Sequence, residues 1–135
     1  MSFTLTHKLQ WEFIMEITYK HAITYLWSRD IKKTLNFYEK ILGFKKAYES
    51  DGWIEMAVPG VTNAYIAINK WKKEGTYPVN QFLTFGVEDI DAFKAHLVAE
   101  EVTMYGDMVE FAEQGMKMLK FYDQDKNIIT VSQVI

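Results

Sequence analysis

The chain has 135 residues, with 15 basic and 18 acidic side chains and a net charge of −3. That length suits one domain, able to bury roughly two-thirds of its unfolded surface without covalent staples. The acidic balance argues against nucleic acid as a partner, and no apolar run approaches the roughly 20 residues that cross a bilayer.

With no cysteine, disulfide scaffolds, thiol nucleophiles and thiolate metal sites are excluded. The opening stretch, Met1 to Leu9, lacks a secretory apolar region, which points to a cytoplasmic protein and no membrane partner. Aromatic residues reach 16%, as 8 Tyr, 9 Phe and 4 Trp. That is enough either to fill a core or to line a pocket.

From Trp11 to Trp27 the odd positions are almost all apolar or aromatic and the even ones mostly polar or small. Period-two alternation predicts strand, with a break near Thr18–Lys20 because one strand of that length is improbable. Residues 1–18 read as an N-terminal extension to a single domain over 19–135. Ser28 or Asp30 can cap a helix whose apolar stripe is Ile31, Leu35, Tyr38 and Leu42, and Gly43 is placed to end it. Strands are predicted at Phe44–Glu49, Trp53–Val58 and Ala64–Asn69, with turns at Asp51-Gly52 and Pro59-Gly60. Lys70–Val79 reads as a connector.

The order then repeats. A strand at Gln81–Val87 precedes a helix capped at Glu88-Asp89, with Ile90, Phe93, Leu97 and Val98 on its apolar face. Strands are predicted at Val102–Tyr105, Met108–Phe111, Met116–Tyr122 and Ile128–Gln133. Asp30-Ile31 and Asp89-Ile90 sit at matching places 59 positions apart, as a duplication would leave them. The two modules span about 19–72 and 80–135.

The run Asp30-Ile-Lys-Lys-Thr-Leu-Asn-Phe-Tyr38-Glu-Lys-Ile-Leu-Gly43-Phe44 resembles the first-helix signature of the vicinal oxygen chelate superfamily. That superfamily contains glyoxalases, bleomycin-resistance proteins and extradiol dioxygenases. Phe85-Gly-Val-Glu-Asp89-Ile-Asp91 resembles the start of its second module. Phe121-Tyr-Asp123-Gln-Asp125-Lys-Asn127 resembles its closing turn, with Gln124 in place of proline and Lys126 in place of glycine. The resemblance runs from about Lys20 to Gln133. It implies an α+β fold of two βαβββ modules whose curled sheets form an open barrel around a cavity. It also implies a homodimer that shares the groove.

Metal-using members place one ligand on each of four strands. Counting from Asp30, Asp89 and Asp123, those places fall on Ile23, Phe82 and Thr130, with the remaining one near Ala67. Hydrocarbon and one hydroxyl make no site for a divalent cation, so no metal and no cofactor are expected. A two-residue slip brings in His21, but Asn80 or Thr84 then takes the place of Phe82.

By the same parity Tyr25 and Trp27, Tyr65 and Asn69, Phe82 and Thr84, and Thr130 line the cavity, unless they fill a collapsed core instead. Trp53 could stack on a ligand, and Glu55 could pair with a cationic group on it. These residues predict a site for a small aromatic or cationic molecule. The alternative is a glyoxalase-like metal-dependent lyase, isomerase or dioxygenase. His7 and His96 read as surface residues, and Glu110 and Glu113 as solvated carboxylates. Met104, Met108, Met116 and Met118 read as core or interface filler.

Overall fold

The computed structural model describes residues 16–20, 22–78 and 83–135. The chain forms β1 (Ile23–Ser28), α1 (Ile31–Asn36), β2 (Lys45–Ser50), β3 (Trp53–Ala57) and β4 (Tyr65–Lys70). The second module repeats this as β5 (Leu83–Gly86), α2 (Ile90–Ala99), β6 (Val109–Phe111), β7 (Met116–Tyr122) and β8 (Ile128–Val134). Each module makes a four-stranded mixed sheet, ordered β1-β4-β3-β2 and β5-β8-β7-β6. In both, the first strand runs parallel to the last and the remaining pairs are antiparallel. This is the predicted α+β arrangement of paired modules, and the sheets do not close into a barrel.

Both helices begin as their sequences dictate. The Asp30 carboxylate accepts the Lys33 N–H at 3.2 Å and the Asp89 carboxylate accepts the Ala92 N–H at 3.0 Å, closing donors the first turn leaves open. The first helix departs from the predicted stripe. After Asn36 it widens into a π-helical turn over Phe37–Ile41, with the Leu42 N–H reaching back to the Phe37 carbonyl. That widening puts Phe37 and Tyr38 in the core together, while Leu35 and Leu42 stay half-buried. Gly43 ends the element at φ +78°, a conformation that favours glycine.

Three further expectations are corrected. Val102–Tyr105 is no strand: Glu101 turns the chain at φ +58° and Gly106 at φ +74°. Only a single bridge from Met104 to Phe121 forms between them. Val98 is exposed rather than on the apolar face of α2. Glu16 and Ile17 take no strand conformation, whereas Thr18 to Lys20 form the expected break; the rest of the alternating segment before Lys20 lies outside the described residues.

One core joins the modules. Leu26, Tyr38, Ile54, Met56 and Ile68 from the first meet Ile90, Leu97, Leu119, Phe121 and Ile129 from the second. All come from the helices or from the helix-facing parity of the strands, so the other face of each sheet lies outside this core. At the seam the Tyr38 hydroxyl donates to a buried Asp123 carboxylate at 2.8 Å. That carboxylate also accepts the Asn127 side-chain amide and the backbone N–H groups of Asp125 and Asn127. Burial raises the Asp123 carboxyl above its ordinary range, against the lowering effect of these donors.

A raised carboxyl in the folded state binds its proton more readily than the unfolded chain does. Its burial cost is therefore present at neutral pH and is relieved as the pH falls towards the carboxylate range. Tyr38→Phe removes a donor from the charged form. Urea unfolding should show a loss of about 1.5–3 kcal/mol at neutral pH. A smaller loss is expected as the pH falls into the range where this raised carboxyl takes up its proton.

Candidate functional site

Strand alternation decides which side chains reach the open faces. On the first sheet Leu26, Ile54, Met56, Ile66 and Ile68 go to the core. The opposite parity stands in three cross-strand rows. Trp27 is level with Asn69 and Asn69 with Trp53; Tyr25 is level with Ala67 and Ala67 with Glu55; Ile23 is level with Tyr65 and Tyr65 with Ala57. A register shift between Lys46 and Tyr48 adds Tyr48 opposite Glu55.

The register brings the expected residues together. The Tyr25 ring lies 5.3 Å from Trp27 and 5.8 Å from Trp53, centroid to centroid. The Trp53 indole N–H donates to a Glu55 carboxylate oxygen at 2.8 Å. Ala67 is fully buried beneath this group, a small floor residue over which larger side chains close. Edge-on aromatic pairs of this kind contribute about 0.5–1.5 kcal/mol each beyond their buried area.

Trp71 and Tyr77 extend the cluster, with Trp71 5.0 Å from Trp27 and 5.7 Å from Tyr77. They lie in the stretch read from sequence as a bare connector. The signal that could have found them was their aromatic type amid lysines. The connector is held by Arg29, which sits 5.0 Å from the Tyr77 ring centroid and donates to the Lys73 carbonyl. Tyr77 also makes a long 3.4 Å hydrogen bond to Asp125. Asp125 accepts the Thr34 hydroxyl and the Gln124 amide as well, and burial raises its carboxyl. The buried Ser28 and Thr34 hydroxyls are 2.6 Å apart. Ser28 thus serves this network while Asp30 does the capping.

On the second sheet Thr84 is level with Thr130 and Thr130 with Lys120, all on the face opposite the core residues Leu83, Leu119 and Ile129. Tyr65 and Thr84, from different modules, share the wall of a hollow of about 470 Å³ with Ile23 and Gly86. Ile23, Tyr25 and Trp27 line a neighbouring one of about 290 Å³. The expected set therefore divides. Tyr25, Trp27, Trp53, Glu55 and Asn69 share one face, Thr84 and Thr130 another, and Tyr65 stands where the two approach. Phe82 and His21 lie outside the described residues. His96 is exposed, as expected, and its Nε2 lies 2.7 Å from the Ile41 carbonyl, tying α2 to the end of the first helix. An apolar gap of about 150 Å³ between Phe44, Phe85 and Phe93 belongs to the core side.

The residues at the four strand positions do not fit a divalent cation. Ile23 and Ala67 carry no donor atom and Thr130 only a hydroxyl, whereas such ions take imidazole, carboxylate or comparable oxygen ligands. Among the described residues no three His, Asp or Glu side chains converge. No helix among them is long and apolar enough to cross a membrane.

The family model described as the Glyoxalase/Bleomycin resistance protein/Dioxygenase superfamily matches residues 18–131. No curated protein matches the chain. Among solved structures, a member of that superfamily from Sphaerobacter thermophilus is 23% identical, with a TM-score of 0.73 over 87% of this chain and 98% of its own. A superfamily protein from Nocardioides is 13% identical, with a TM-score of 0.72 over 96% and 93%. An integron cassette protein from the mobile metagenome of Halifax Harbour sewage outfall is 20% identical, with a TM-score of 0.70 over 84% and 97%. At these identities the likeness is one of fold.

The aromatic cluster depends on its small floor. Ala67→Leu should cost about 1–3 kcal/mol by overpacking. It should also weaken the near-ultraviolet circular dichroism of the tryptophans, the two effects being read by urea unfolding and by the native spectrum.

Proposed function

The chain belongs to the glyoxalase/bleomycin resistance protein/dioxygenase superfamily, and on that footing we propose that it is a metal-independent protein that binds a small aromatic or cationic molecule. The observation that carries this reading is the open face on which Tyr25, Trp27 and Trp53 stand together beside the Glu55 carboxylate. Rings at edge and tilted angles leave π-faces for a flat guest, and a carboxylate beside them favours positive charge on it. Cation–π contacts add about 0.5–2 kcal/mol each, according to how far they are desolvated. Binding alone, with no bond made or broken, is a sufficient activity for such a face, since it withdraws the compound from solution.

A homodimer completes this proposal. Tyr25, Tyr105, Val109, Phe111 and Val134 are large apolar side chains that stand exposed on the open faces. A second copy laid over them would turn each open face into one wall of a closed cavity. Of these, Tyr105, Val109 and Phe111 gather around one hollow, and apolar surface gathered in this way marks an interaction site more often than ordinary solvent-facing surface.

Titration with proflavine, a planar cation, tests the binding reading. Saturable quenching of tryptophan fluorescence is expected, unchanged by a chelator, and Trp27→Ala or Trp53→Ala should weaken it by about tenfold. A silent titration would count against binding. Stoichiometric nickel, zinc, iron or manganese in natively purified protein would favour a glyoxalase-like lyase, isomerase or dioxygenase instead. Sedimentation should return twice the chain mass; the mass of one chain would overturn the dimer.

A further inference from the structure

We propose that the open face of the second sheet is an acid-binding half-site that takes the carboxylate of a small organic acid on Lys120. This rests on the binding reading above and adds to it the charge of the ligand at a second place. The half-site is a single cross-strand row. Thr84 is level with Thr130 and Thr130 with Lys120, and the Tyr105 N–H donates to the Lys120 carbonyl at 2.9 Å, which sets Tyr105 on the far side. Two hydroxyls, an ammonium and a phenol ring thus follow one another across the sheet. Beside the row, Met118, Val109 and Phe111 line a hollow of about 300 Å³ with Tyr105 and Lys120.

Three observations define the surroundings of Lys120. First, β7 is an inner strand of its sheet, so the edge-guarding role that places lysines on outer strands does not apply. Second, like most lysines among the described residues, it makes no ion pair. Lys117 on the same strand pairs with Asp91 at 3.4 Å, whereas among the described residues no carboxylate pairs with Lys120. Its ammonium lies 6.0 Å from the Tyr105 ring centroid. Third, the adjoining hydroxyls are uncommitted: neither the Thr84 nor the Thr130 side chain makes a hydrogen bond among the described residues, although Thr130 is only 7% exposed. An ammonium, with the Thr130 hydroxyl one strand away, is the kind of donor a carboxylate accepts from.

The duplication sharpens the point. The row Tyr25, Ala67, Glu55, Tyr48 on the first sheet occupies the same register as Thr84, Thr130, Lys120, Tyr105 on the second. Equivalent places therefore carry opposite charges. Glu55 already accepts the Trp53 N–H, while Lys120 awaits an acceptor. A monoanion fits better than a phosphate dianion, because one ammonium serves the row and the Asp107 carboxylate lines the same hollow. The apolar remainder of the acid would lie along Met118, Val109 and Phe111.

Three probes with one ring system test this on the full chain by calorimetry: 2-naphthoate, neutral 2-naphthamide and cationic 2-naphthylmethylamine. The acid should bind about tenfold tighter than the amide. Lys120→Met should abolish that preference while leaving the unfolding midpoint unchanged, and Lys120→Arg should preserve it. Thr130→Val should weaken the acid more than the amide. Equal binding of acid and amide, or a preference that survives Lys120→Met, overturns the half-site while the binding reading stands. A Lys120→Met protein that loses its subunit association instead would also overturn it, by assigning the ammonium to an interface. Failure of all three probes to bind would overturn both.

Discussion

The arrangement depends on a buried carboxylate placed where the two modules meet. Asp123 ends β7 and organises the turn to β8, and Tyr38 from the first helix donates to it across the seam. A carboxylate out of water is costly unless its lone pairs are filled. Here four donors fill them, and only one comes from the other module. The closing turn is thus built locally, and the tyrosine fixes how it meets the first helix. Thr34, Gln124 and Asp125 continue the same seam. Together they hold the helix-facing sides of both sheets in one core.

The consequence for function is a matter of faces. With the core on the helix side, the other side of each sheet stays largely open, and Trp71 of the connector packs beside Trp27 on the first. Both free sides carry side chains that are expensive to leave in water without purpose: stacked rings on one, methionine, valine and phenylalanine around a lone ammonium on the other. The two sides differ in sign at equivalent register positions, Glu55 against Lys120. A duplicated fold has therefore become two chemically distinct walls. At the described strand positions Ile23, Ala67 and Thr130 supply neither the nitrogen nor the carboxylate donors that a divalent ion takes.

Much of this was readable beforehand, for physical reasons. Period-two alternation places Tyr25, Trp27, Trp53 and Glu55 on a shared side once their strands are paired, because a residue's parity settles its face. The aspartate caps, the glycine stop at Gly43 and the equivalence of Asp30 and Asp89 are local signals that tertiary packing left intact. Other features escaped because they depend on distant partners. The widened turn after Asn36 comes from packing Phe37 and Tyr38 side by side, which no helical period announces. Trp71 and Tyr77 stand among lysines, glycine and proline, where composition says connector. The Val102–Tyr105 stretch has strand-like residues, yet Glu101 and Gly106 at positive φ confine it to a single bridge. The isolation of Lys120 was invisible in sequence, since an unpaired charge is defined by what does not approach it.

Native mass spectrometry of freshly isolated protein tests the central claim most directly, because it weighs retained small molecules, metal ions and subunits at once. The account predicts two chains that release an organic molecule on activation, with no metal ion held in stoichiometric amount. A single chain per particle carrying a bound divalent ion and no organic ligand would contradict it.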